Sequence, residues 1–146
     1  LLTEQILYQI EQNKAPEEPL RDYGSTFVMA FLEKATGHTT LVNLGDGGIL
    51  HLGTEKPVSL LPPRTYGGQP CLTTTTGADR AVEVQNTQIG PVEGILLCSD
   101  GFLHVMHQTT VSGSLKARNW EQLDQTLRRI PLTDDCSYIT LIRDHR

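Results

Sequence analysis

The chain has 146 residues, of which 38% are hydrophobic and 20% charged, and its formal net charge is −5 at pH 7. This length suits a single domain over residues 1–146, and the ordinary composition argues against extensive disorder. An acidic chain is a poor candidate for binding nucleic acid or an anionic membrane surface, and no window approaches the ~18 consecutive apolar residues of a membrane-spanning helix.

The first half of the chain predicts one helix followed by strands. Apolar residues recur at helical spacing over residues 1–13, and a polar, proline-containing loop follows them. Three β-prone segments then cover residues 27–32, 39–44 and 49–52. Residues 45–48, Gly-Asp-Gly-Gly, predict a hairpin turn between the last two strands, because Asp-Gly supplies the positive φ angles of a tight turn.

The second half predicts a loop, more strands and a second helix. Residues 53–68 are rich in proline and glycine and predict a loop. Apolar residues fall on one stripe of a predicted helix over residues 120–130, which Pro131 ends. Further strands are predicted over residues 72–76, 81–89 and 136–142.

The most informative stretch is Ile95-Leu96-Leu97-Cys98-Ser99-Asp100-Gly101. Its apolar run predicts a strand buried on both faces, and the apolar pattern over residues 102–106 predicts a helix with Asp100 near its start. Gly101 allows the backbone to turn sharply or to approach a ligand closely. The outline of mostly strands, with helices near each end, predicts an α+β sandwich.

Three cysteines, Cys71, Cys98 and Cys136, make an odd count without a Cys-x-x-Cys pair. Cys98 and Cys136 lie in apolar, strand-like runs, where a buried free thiol is expected. No secretory signal is visible, so we expect a reducing, cytoplasmic compartment. The chain opens on Leu1-Leu2 without methionine, as a fragment or a processed protein would.

Asp46, Asp100 and Asp134 each stand at the end of a predicted strand. If the strands that carry Asp100 and Asp134 are antiparallel neighbours, their carboxylates can reach one ion, because neighbouring strands lie about 4.8 Å apart. Clustered carboxylates repel one another unless a cation neutralises them, and oxygen ligands favour Mg²⁺ or Mn²⁺ over Zn²⁺. Each aspartate also has a structural explanation, as a turn residue or a helix cap.

Two histidines offer an alternative metal site. His104 and His107 stand three residues apart, a spacing that can bind zinc on one face of a helix. The sequence places no third or fourth ligand near them, so solvated or core histidines are the simpler interpretation.

Four segments carry a further pattern: Gly24-Ser25-Thr26, Asn43-Leu44-Gly45-Asp46-Gly47, the run from Ile95 to Gly101, and Asp134-Asp135-Cys136-Ser137. In this order they resemble the metal-dependent protein phosphatases of the protein phosphatase 2C family, with Gly47 similar to bacterial members. The resemblance implies an antiparallel β-sandwich flanked by helices, with two or more Mn²⁺ or Mg²⁺ ions at one edge. The family's first strands, with a metal-bridging Asp-Gly and a phosphate-holding Arg, have no counterpart before Leu1, so we expect a domain that lacks its N-terminal strands.

The resemblance also implies roles for single residues. Asp100 and Asp134 would ligate one ion, and Asp46 would belong to a further, weaker metal site. Asp135 stands where the family often has Asn and, with Gly101, would orient the ligands.

The reaction implied is the hydrolysis of phosphoserine or phosphothreonine in proteins by a metal-activated water, with no covalent phosphoenzyme and no nucleophilic side chain. The partner is then a phosphorylated protein. A non-catalytic binding module of the same fold and a phosphohydrolase of small phosphate esters remain alternatives. Because a sandwich without its first strands has unpaired edges, we also expect self-association or pairing with the missing N-terminal segment.

Overall fold

Antiparallel sheets and helices make up the structure, a computed structural model that describes residues 2–53, 57–75 and 81–143. This confirms the predicted α+β class. The helices are α1 (Leu2–Asn13), α2 (Asp100–Val105), α3 (Thr109–Ala117) and α4 (Trp120–Leu127), with a short 3-10 helix at Leu20–Tyr23. The strands are β1 (Phe27–Leu32), β2 (His38–Leu44), β3 (Gly48–Leu52), β4 (Val58–Leu61), β5 (Thr65–Tyr66), β6 (Gln69–Pro70), β7 (Glu83–Gln88), β8 (Gly94–Cys98) and β9 (Tyr138–Ile142).

The strands form two main antiparallel sheets. One has the order β1-β2-β7 and the other β4-β3-β8-β9, while β5 and β6 pair with each other as a small separate ribbon. Leu41 of β2 packs in one buried cluster with Ile49 of β3 and Ile95 of β8, so the two sheets share a core. The predicted antiparallel sandwich is therefore confirmed.

A second core lies between the four-stranded sheet and the helices. Phe102 of α2, Val111 of α3 and Leu123 of α4 are fully buried there, against Leu96 of β8. Because Ile95 and Leu96 point to different cores, β8 is buried on both faces, as its uninterrupted apolar run predicts. β8 thus fixes the position of Asp100, which begins α2 directly beyond it.

The turn at residues 45–48 corrects one prediction. Gly45 has a φ of 111°, so the turn does use the conformation that glycine favours. However, β2 belongs to the three-stranded sheet and β3 to the four-stranded sheet, so these strands do not form a hairpin. The turn instead carries the chain from one layer of the sandwich to the other.

Some element boundaries also differ from the predictions. The predicted loop over residues 53–68 contains β4 and β5, and α3 was not predicted. The segment Leu72–Thr75 is a turn and not a strand, because the Thr75 hydroxyl accepts a hydrogen bond from the Leu72 amide at 2.8 Å. Thr76, the last residue of that predicted strand, lies outside the described residues.

The first helix, the helix after Asn119 and the last strand are present as predicted, with shorter bounds for the last two. The first helix is present from Leu2 onward, while Leu1 lies outside the described residues. Helix α4 ends at Leu127, short of the predicted residue 130, and the last strand begins at Tyr138 and not at Cys136. As a result Asp134 and Asp135 lie in the segment that leads into β9.

The three cysteines are free thiols, with Cys71 and Cys98 buried and Cys136 partly buried. Cys98 is buried as expected, and burial raises the pKa of its thiol to about 12. Within residues 2–53, 57–75 and 81–143, no helix is both long and apolar enough to cross a bilayer.

Candidate metal centre

One edge of the sandwich brings together the turn after β2 and the end of β8. Asp46 lies in that turn, and Asp100 begins α2. Both aspartates line the same cavity of about 310 Å³, together with Thr26 from the start of β1 and Ser137 from the approach to β9. Two of the three predicted metal-ligating residues therefore share one cavity.

Two glycines allow the turn to lie close to its neighbours. A Cβ on Gly47 would stand 2.8 Å from the Cys98 carbonyl oxygen, and one on Gly48 would stand 2.9 Å from a methyl group of Leu103. The Asn43 amide also donates a hydrogen bond to the Gly47 carbonyl at 3.3 Å. The position of Asp46 relative to the end of β8 thus depends on small residues that permit close approach.

The segment that carries Asp134 lies against the start of α2. β8 and β9 are antiparallel neighbours, as the sequence argument required. Beyond the paired strands, the Ser99 hydroxyl donates to the Asp135 carbonyl at 2.9 Å, and the Ser99 amide donates to the Ser137 carbonyl at 3.0 Å. A Cβ on Gly101 would stand only 2.3 Å from that Asp135 carbonyl oxygen, so glycine is required for this contact.

The Asp46 carboxyl is affected by both of the other predicted ligands. Burial raises the pKa of the Asp46 carboxyl, and its own backbone amide lowers it through a hydrogen bond. The negative charges of Asp100 and Asp134 both raise the pKa further, and the charge of His104 lowers it. Like charges gathered in this way are the arrangement that a cation stabilises.

Asp134 and Asp135 are exposed and lie outside the cavity that Asp46 and Asp100 line. One carboxylate oxygen of Asp134 accepts a hydrogen bond from the Asp135 amide at 2.7 Å. Over the described ranges, no three His, Cys, Asp or Glu side chains stand close enough to hold a metal ion together. The carboxylate oxygens of these aspartates are the kind of ligand that Mg²⁺ or Mn²⁺ prefers. Binding of one ion by several of them would require their side chains to rotate.

The two histidines occupy different places. His104 lies within α2, four residues after Asp100, whereas His107 follows the end of that helix. His104, unlike His107, is close enough to Asp46 to affect its pKa. From the sequence, His104 was paired with His107. The spacing of four residues between Asp100 and His104 places them on one helix only once α2 is known to begin at Asp100.

Comparison with known proteins places the chain in a family. The model of the protein phosphatase 2C family matches residues 2–133. A bacterial serine phosphatase has a TM-score of 0.70 at 13% identity, over 98% of this chain and 66% of that one. The phosphatase domain of the cell fate determinant SpoIIE from Bacillus subtilis (Mn presoaked) has a TM-score of 0.58 at 14% identity, over 99% and 73%.

RsbX in complex with magnesium has a TM-score of 0.54 at 15% identity, over 95% of this chain and 71% of that one. At such identities the structures show a shared fold, and comparison with curated proteins gives no match. The family model covers most of the chain, and the sheets and helices agree with those of phosphatases. The chain therefore belongs to the protein phosphatase 2C family.

Proposed function

We propose that this chain carries metal-binding residues of a phosphatase that hydrolyses phosphoserine or phosphothreonine in proteins. Membership in the protein phosphatase 2C family supports phosphatase function. The observation that carries the metal-dependent part is the convergence of Asp46 and Asp100 on one cavity, with the charge of Asp134 acting on Asp46.

Each aspartate has a distinct role in this proposal. Asp100 and Asp134 hold one Mn²⁺ or Mg²⁺ ion from adjacent backbone segments, and Asp46 contributes to a further ion. The Asp135 amide orients the Asp134 carboxylate, and Gly101 keeps the start of α2 against that segment. Bound divalent ions supply positive charge toward phosphoryl oxygens and make water more acidic. Manganese presoaking of the SpoIIE structure and magnesium in the RsbX structure support this choice of ions.

The cavity suits a small part of a larger substrate. Its volume of about 310 Å³ is near the lower limit for pockets that enclose small molecules. A single phosphorylated side chain would fit there while the rest of a protein partner lies on the surface outside. The three free thiols further support a reducing, cytoplasmic location.

The test is hydrolysis of a phosphoserine peptide by the purified chain with Mn²⁺, compared with the Asp100→Asn variant. We expect the substitution to lower turnover by at least about tenfold, since it removes a charged ligand. Glu121→Gln is the matched control, because Glu121 is an exposed carboxylate on α4. The control should retain full turnover.

Four results would contradict the proposal. Turnover that persists in a chelator would exclude metal dependence, and an unchanged Asp100→Asn variant would exclude the assigned ligand. Tight phosphopeptide binding without hydrolysis would favour a non-catalytic module. Preferential turnover of a small phosphate ester would favour the remaining alternative.

A further inference from the structure

Strands β1 and β9 are edge strands that border the same groove. β1 lies at one end of the three-stranded sheet, and β9 lies at one end of the four-stranded sheet. Among the described residues, no strand pairs with the outer side of either one. Because an edge strand presents unused N–H and C=O groups, each can accept a further strand from outside.

The groove between these two strands, here called the edge groove, consists of two cavities. The first is the cavity that Asp46 and Asp100 line, to which β1 contributes Val28 and β9 contributes Ile139. The second has a volume of about 730 Å³ and lies farther along the same two strands. The residues that line it are Ala30, Leu32, Lys34 and residues 140–143. The edge groove therefore follows both strands along most of their length.

The side chain of Ile139 shows that the core is open at this groove. Ile139 pairs with Leu97 of β8, and Leu97 packs against the core that the two sheets share. Residues directly opposite each other on neighbouring strands point to the same face of a sheet, so Ile139 points inward as well. It is nevertheless 64% exposed. An inward-facing isoleucine with this exposure indicates a surface that another strand would cover.

Hydrogen bonds at the ends of β9 show which of its backbone groups face the groove. The Ser99 amide donates to the Ser137 carbonyl at 3.0 Å, and the Arg143 amide donates to the Glu93 carbonyl at 2.9 Å. Hydrogen-bonded and non-hydrogen-bonded pairs alternate along an antiparallel ladder. The odd-numbered residues of β9 therefore bond to β8, and the backbone groups of the even-numbered residues point away from it.

β9 is complementary to a second copy of itself in this arrangement. A two-fold axis at Thr140 places Tyr138 opposite Ile142 of the other copy, so the even-numbered residues of both copies would share about six hydrogen bonds. The same axis places Ile139 opposite Leu141, so inward apolar side chains meet each other. β9 contains no charged residue and no proline, so neither repulsion nor a missing donor opposes the pairing.

The two ends of the edge groove carry opposite charge. Among the described residues, the charged ones that line its first cavity are Asp46 and Asp100, and those that line its second are Lys34 and Arg143. A two-fold axis perpendicular to the strands reverses the direction of the second copy, so the basic end of each groove meets the acidic end of the other. This charge complementarity favours a second copy of the chain as the occupant.

We propose that two copies of this chain associate edge to edge through β9, in antiparallel register about Thr140, and that each copy covers the edge groove of the other. The two four-stranded sheets then form one continuous sheet. This assigns a surface to the self-association expected from the sequence. The inference does not depend on the proposed function, because it involves neither a metal ion nor a phosphate.

Sedimentation velocity on the whole chain, at about 1–100 µM, tests the association, and we expect a dimer. Ile139→Lys should weaken dimerisation by at least about tenfold, because a lysine on an edge strand opposes pairing. Val84→Lys is the matched control, because Val84 is 60% exposed on β7, an edge strand away from the groove. The control should leave dimerisation unchanged.

Cross-linking tests the register. Residues opposite each other in a hydrogen-bonded pair have Cα atoms about 5.5 Å apart, a separation that a disulfide can bridge. Under mild oxidation Thr140→Cys should therefore form a covalent dimer, with the wild-type chain and its free cysteines as background. Ile142→Cys is the control, because its two copies would lie about 14 Å apart along the strands and should not cross-link.

Charge substitutions test the opposed ends. Lys34→Glu should weaken dimerisation by about two- to fivefold, and the loss should shrink as salt screens the interaction. Lys116→Glu is the control, because Lys116 is an exposed lysine on α3, and it should have no effect.

Three results would overturn the proposal. A monomer at about 100 µM would leave the edge groove to a different polypeptide. A folded Ile139→Lys variant that still dimerises fully would place the interface elsewhere, and a Thr140→Cys variant that does not cross-link would exclude the register. Circular dichroism checks that each variant is folded, and if Ile139→Lys unfolds, the cross-linking result decides.

Discussion

Replacing Gly101 by alanine tests the contact that joins α2 to the segment carrying Asp134. The new Cβ would stand 2.3 Å from the Asp135 carbonyl oxygen and 2.9 Å from its carbonyl carbon. Ordinary contact begins near 3.4 Å, so the atoms would be about 1 Å too close. The obstacle is backbone, so rotation of a side chain cannot relieve it.

The expected cost follows from this geometry. Overpacking of this kind costs about 1–3 kcal/mol. Moving the segment also strains the 2.9 Å hydrogen bond from Ser99 to Asp135, worth about 1 kcal/mol. Alanine is favoured over glycine within a helix by about 1 kcal/mol, which offsets part of the loss. We expect a net destabilisation of about 1–3 kcal/mol, or a melting temperature lower by about 4–10 °C.

The measurement is thermal unfolding of the purified protein followed by circular dichroism. Gly113→Ala is the matched control, because Gly113 lies within α3 and a Cβ added there would meet nothing within 4 Å. The control should be more stable than wild type by up to about 1 kcal/mol. A Gly101→Ala variant that melts at or above the wild-type temperature would refute the close contact.

Two further predictions concern positions away from the site. Leu123→Ala should lower the free energy of unfolding, measured in urea, by about 2–5 kcal/mol, because Leu123 is fully buried between α4 and the sheet. A loss below about 1 kcal/mol would contradict that packing. Glu93→Gln should lower the melting temperature at pH 7, because the Gly90 amide at 2.7 Å and then His51 hold the pKa of Glu93 below its ordinary value of 4.5. A carboxyl whose pKa is lower in the folded state than in the unfolded state stabilises the protein at pH values above the unfolded pKa. The difference in melting temperature between wild type and variant should therefore shrink as the pH falls below 4.5. A difference in melting temperature that grows below pH 4.5 would contradict this reasoning.

Secondary structure is predicted most accurately from the sequence where a local apolar pattern matches the residues that are buried in the fold. The apolar run before Ser99 could be read as a doubly buried strand, because only an interior strand buries both faces. The amphipathic stripe of α4 is similarly informative, since Leu123 and Leu127 are both buried. By contrast, α3 has a polar sequence with few apolar positions, and its pattern gives little sign of a helix.

Pairing between strands was less predictable. Asp46-Gly47 specifies a turn locally, but the choice of partner for β2 depends on which sheet buries its apolar face. The threonines before residue 76 favour strands by propensity, yet a threonine hydroxyl can also bond to nearby backbone, as that of Thr75 does in this turn. Local preference could not decide between these outcomes.

The candidate site was only partly accessible from the sequence. From the sequence, Asp100 and Asp134 were expected to meet on neighbouring antiparallel strands. Strands β8 and β9 are such neighbours, but the residue that lines a cavity together with Asp100 is Asp46. The packing of α2 over Gly48 through Leu103 is a contact between residues far apart in the chain. No spacing pattern encodes such a contact.

The turn that crosses between the two sheets places Asp46 and Asp100 on opposite layers of the sandwich. Asp46 moves with the end of β2, whereas Asp100 moves with β8 in the opposite layer. A small slide of one layer over the other would therefore open or close the gap between the two carboxylates.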